Sequence, residues 1–137
     1  MTRAVLLALT IAVLAAPAAA QALPAFDQTR FYDQPAFDRA IAPYTQAIAR
    51  NANDARAHYW LGMAYLHMLR LYRFGLAPFA ASFAPRAVAS LEQSLRLQAA
   101  PEVMLALLDA YVLVGAWDKH NALLERVSAL ARPLPIR

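Results

Sequence analysis

Leu61-Gly62-Met63-Ala64-Tyr65 and Leu107-Leu108-Asp109-Ala110-Tyr111 are two versions of one pattern: a large apolar residue, a small or second apolar residue, and a closing Ala-Tyr pair. Flanking segments of a second kind read Ala40-x3-Tyr44-x2-Ala47, Ala87-x3-Leu91-x2-Ser94 and His120-x3-Leu124-x2-Val127. Intervals of three and four residues put the marked positions of each segment on one helical face. Two kinds of helix therefore alternate along the chain, and each has an apolar face that only a neighbour can bury.

The spacing between these segments is informative. Tyr44 to Leu61 is 17 positions and Leu91 to Leu107 is 16, so one joint is nearly constant. Tyr111 to His120 is 9 positions whereas the equivalent Tyr65 to Ala87 is 22, so the middle unit carries 13 extra residues. Val and Ile are scarce and Ala and Leu abundant, which leaves little from which to build strands. Punctuation by Pro, Asn-Asp and Gly then predicts five helices over 35–51, 54–73, 85–98, 101–114 and 117–131. Pro35 and Pro101 open the first and fourth, Asn53-Asp54 caps the second, Gly115 ends the fourth, and Asp118 lies in the first turn of the fifth. Pro43 falls inside the first and predicts a kink between Arg39 and Pro43.

These segments resemble the tetratricopeptide repeat, a helix pair of about 34 residues with the signature W-x2-L-G-x2-Y followed by A-x3-F. About two and a half units cover 35–132. The departures are His58 in the Trp place, with Trp60 out of register, Leu108 in the Gly place and His120 in the Ala place. Gly115 and Trp117 restore the turn between helices. The resemblance implies an all-α, short antiparallel helix-pair solenoid acting as a non-catalytic scaffold for a protein or peptide partner. It also implies that the first helix of each unit lines a concave groove. Carried over by register, the groove residues are Arg56, Tyr59, Met63, His67, Glu102, Leu105, Asp109 and Leu113. Tyr59 and Met63 stand where the carboxylate-clamp subtype has Lys and Asn, which argues against that ligand. His120 falls on a face that the repeat packs, so an interhelical hydrogen bond is expected for it.

Residues 21–34 form an arm without a convincing first helix, so the opening unit is incomplete. Either the arm packs by Phe26, Phe31 and Tyr32, or a partner covers that end. An uncovered end would also permit self-association.

The extra residues of the middle unit form an insert at 69–84 that carries Tyr72, Phe74, Phe79 and Phe83, with Arg70 and Arg73 as its only charges. Two readings stay open. An exposed patch rimmed by Arg would bind a partner protein, an acyl chain or other hydrophobic ligand, or a membrane surface; alternatively, the aromatics fold back and complete the core of a short solenoid.

Composition narrows the remaining choices. The chain has 137 residues, 61% of them hydrophobic and 16% charged, with no Cys, which excludes thiolate metal sites and a cysteine nucleophile. Thr2 and Arg3 precede an apolar run from Ala4 to Ala16 and the small residues Ala18 to Ala20, the pattern of a signal peptide over 1–20. Export to the periplasm or the extracellular space is expected, with 133–137 as a C-terminal tail. Formal charge is only +4 and the basic residues are scattered, which predicts no nucleic-acid role. His58, His67 and His120 show no metal-ligand spacing, and Glu102 and Asp109 are two helical turns apart, too far for a carboxylate pair. No Gly-rich phosphate loop or nucleophile elbow accompanies them. No enzyme activity, cofactor or metal is expected.

Overall fold

A computed structural model describes residues 22–132. The expected signal peptide at 1–20 and the tail at 133–137 lie outside the described residues. The order is α1 (Gln34–Arg50), α2 (Ala55–Arg73), a 3₁₀ segment (Pro78–Ser82), α3 (Ala84–Leu97), α4 (Pro101–Val114) and α5 (Trp117–Leu130), with no strand among the described residues. The protein is an all-α helix-pair solenoid.

The helix boundaries follow from local chemistry. Asp33 and Asp54 each accept a hydrogen bond from a first-turn amide, Ala36 N at 2.8 Å and Ala57 N at 3.0 Å. His58 Nε2 donates to the Ala52 carbonyl at 2.9 Å and braces the α1–α2 turn. Pro35, Pro85 and Pro101 occupy first-turn positions that need no donor. Among the described residues Gly75 and Gly115 are the two with positive φ, at 75° and 76°, and both follow a helix C-terminus. There the Leu76 and Ala116 amides bond back to the Leu71 and Tyr111 carbonyls, which satisfies the last turns of α2 and α4. α1 runs unbroken through Pro43. The carbonyl that Pro43 leaves unpaired belongs to Arg39, an exposed residue, so water can serve it.

Two buried clusters share α2. Phe26, Tyr32, Phe37, Tyr44, Leu61, Ala64, Met68, Ala77, Ala80 and Phe83 form the first; Leu66, Ala87, Leu91, Met104, Leu107, Ala110, Tyr111 and Leu123 build the second. Half-buried Tyr65 packs against both. The insert supplies part of the first cluster, because α2 extends to Arg73 and the 3₁₀ segment then folds back. The Phe83 ring lies tilted 5.3 Å from Phe37, and Phe79 lies 6.2 Å from the same ring.

The arm takes the place of the missing helix. Phe26 and Tyr32 are buried, and their rings stack at 5.1 Å. Tyr44 Oη donates to the Pro24 carbonyl at 2.7 Å, pinning the arm to α1. Phe31 departs from expectation: it is 71% exposed, because the turn that buries Tyr32 sends its neighbour outward.

Candidate functional site

α2 and α4, the first helices of successive units, lie side by side and parallel. At their amino-terminal ends Ala55, Arg56, Tyr59, Trp60, Ala100, Glu102 and Val103 join Ser94 and Gln98 of the α3 end around a cleft of about 330 Å³. Ser94 Oγ donates to the Ala55 carbonyl at 2.8 Å and ties α3 to the cleft's rim. Arg56 sits 6.0 Å over the Trp60 ring, and the Tyr59 and Trp60 rings are 4.9 Å apart. Burial, followed by the nearby Glu102 carboxylate, pushes the Tyr59 hydroxyl above its ordinary pKa, so Tyr59 presents a neutral donor. The cleft thus offers an aromatic wall with one cation and one carboxylate at its mouth.

At the carboxy-terminal ends Arg70 pairs with Asp109, and Arg73 Nη1 donates to the Leu113 carbonyl at 3.0 Å. These contacts close the far end of the face between α2 and α4. Leu105 is exposed between them, while Met63 and Leu113 are half-buried against the second cluster. The Arg70–Asp109 pair joins an insert residue to a residue that register places in the groove.

His67 does not belong to this open surface. Its ring is buried, edge-on to Phe26 at 5.7 Å and to Tyr32 at 6.2 Å, and Nε2 donates to the Arg30 carbonyl at 2.8 Å. Repeat register puts His67 on the concave side, but without a first helix in the opening unit the arm fills that side. His120 also departs from expectation: its ring contacts Trp117, and Nδ1 lies 3.2 Å from Asn121 Oδ1 on the same helix rather than bonding across helices. Ala55, Trp60, Ser94, Gln98, Ala100 and Val103 line the cleft without having been expected there, and Trp60 is the aromatic among them. Its position one residue after Tyr59 and four after Arg56 was the available signal.

The insert divides. Phe79 is half-buried against the first cluster and Phe83 is buried on Phe37 and Tyr65, so this half of the insert packs into the core. Tyr72 and Phe74 face outward, with Arg70 and Arg73 beside them. Among the described residues no three of His, Asp and Glu converge to hold a metal ion. No helix among them is long and apolar enough to cross a membrane.

Residues 30–68 match the family model described as TPR repeat, a span that takes in α1 and most of α2. No curated protein and no solved structure matches the chain. The match, taken with the five alternating helices, is consistent with a solenoid similar to the tetratricopeptide repeat and supports, in general terms, a protein-binding scaffold.

Proposed function

We propose that this protein is a non-catalytic adaptor of the bacterial cell envelope, exported by its leader, whose open groove holds an extended polar segment of a partner protein. The observation that carries the reading is the cleft between the starts of α2 and α4. It is the part of the concave side that the arm leaves uncovered, and it combines Tyr59, Trp60 and Arg56, the residue types that anchor protein interfaces, with an opposed Glu102. Leu105 continues the surface toward the Arg70–Asp109 bridge.

A photo-crosslinking residue placed at Tyr59, and separately at exposed Leu130, tests the groove in the intact envelope. A defined product from position 59 that position 130 does not give is expected, and it disappears in an Arg56→Glu background. Equal products from both positions would sink the groove reading. Export is checked separately by fusing residues 1–24 to a reporter active only outside the cytoplasm and sequencing the amino terminus of the secreted product. Start at Gln21 is expected.

A further inference from the structure

The parallel course of α2 and α4 has a second result: the turns that follow them share one pole of the molecule. The Arg73–Leu113 hydrogen bond joins the two helix ends there. Around this joint stand Phe74, 80% exposed, Trp117 at 56% and Leu76 at 55%, with Tyr72 and Val112 also exposed. Gly75, left-handed at φ 75°, turns the chain between Phe74 and Leu76, and its Cβ position has no atom within 4 Å, so the two side chains flank a free-standing tip.

We propose that this pole inserts into the interface of a lipid bilayer. This inference is independent of the groove reading. Polarity is graded as a bilayer interface requires. Phe74 and Leu76 lead, the amphipathic rings of Tyr72 and Trp117 stand beside them, and the Arg70 head is set one helical turn behind the tip. A protein interface built on these residues would leave the sharp tip to fill a dedicated pocket, whereas a fluid interface accepts it without one.

Charge at the pole specifies the lipid. Arg70 is paired with Asp109, Lys119 Nζ is 2.7 Å from Glu92 Oε1, and Arg73 Nη1 donates to the Leu113 carbonyl. With each of these three cations already held by a protein oxygen, apolar insertion drives binding, and anionic headgroups are not required.

Among the described residues both buried clusters lie between Phe26 and Leu123, and the chain from Gln21 to Arg137 is checked for helicity by far-ultraviolet ellipticity before use. Flotation of this chain with phosphatidylcholine vesicles is the test. It is expected to bind, with less than about a threefold change when phosphatidylglycerol is added. Replacing Phe74 and Leu76 together by Ser lowers the partition coefficient about tenfold or more. Leu130→Ser, at an exposed apolar site on the opposite pole, leaves it unchanged. A measurement free of substitutions accompanies these: vesicles shift tryptophan emission of the unmodified chain to the blue as Trp117 leaves water. Absence of flotation, a requirement for anionic lipid, retention by the double variant, or binding only to vesicles that carry envelope proteins would each overturn the proposal.

Discussion

Gly62 marks a close approach of α2 to Leu91 of α3. A Cβ built there lies 2.6 Å from Leu91 Cγ, 2.8 Å from Leu91 Cδ2 and 3.2 Å from the Leu91 backbone nitrogen. Gly62→Ala gains about 1 kcal/mol of helix propensity, yet forcing a methyl into a packed contact costs about 1–3 kcal/mol. Because a backbone atom stands among the obstacles, the second effect wins, and a net loss of about 1 kcal/mol is expected in urea unfolding. A more stable variant would show that the helices separate freely. Tyr44 makes a different prediction. Burial, aided by the field of Tyr32, raises its pKa from 10.0 to about 12, so folding favours the protonated phenol. Its contribution is full below pH 10 and is lost as pH rises through 12. Tyr44→Phe also removes the bond to the Pro24 carbonyl, at about 0.5–1.5 kcal/mol near neutrality. The stability gap between the two proteins is therefore expected to narrow steadily between pH 10 and 12. A gap constant across that range would mean that Tyr44 titrates alike folded and unfolded.

Among the elements, the arm is the one whose role depends on a few side chains. Phe26 touches Tyr32, Phe37 and His67, and the arm has no helix of its own to hold it. Phe26→Ala is expected to cost about 3–5 kcal/mol, while exposed Phe31→Ala stays within about 0.5 kcal/mol. Comparable losses from both in equilibrium unfolding would contradict the arrangement. The five helices were legible because their ends are written locally: Pro35, Asp54, Pro101 and Gly115 act on backbone groups within a turn of themselves. The 3₁₀ segment was not, since Pro-Phe-Ala-Ala-Ser is too short to show a period and Ala77 and Ala80 gain their burial from distant partners. The same limit explains the groove. Register locates Arg56, Tyr59 and Glu102 at the cleft, but that the arm covers His67 depends on a contact with Arg30, 37 residues away, which no local pattern records.

At the scale of the whole molecule, two and a half units are few for a fold stabilised by stacking. The solenoid compensates at one end by drawing the arm and the insert into the first cluster, and it joins both clusters through α2, which contributes Leu61, Ala64 and Met68 to one and Leu66 to the other. A helix shared in this way cannot keep its packing on one side once the other side is lost. Unfolding should then be a single transition rather than a sequence of repeats. Leu107→Ala tests this from the far cluster, where Leu107 is fully buried between α2, α3 and α5 partners. A loss of about 2–5 kcal/mol is expected. Its effect should reach Trp60, which packs on the first cluster, at the same urea concentration at which helicity is lost. In a Trp117→Phe background, emission from Trp60 and far-ultraviolet ellipticity would thus shift together, with an unchanged slope. If Trp60 held its native signal while half the helicity disappeared, the two clusters would be separate folding units, and α2 a connection rather than a common core.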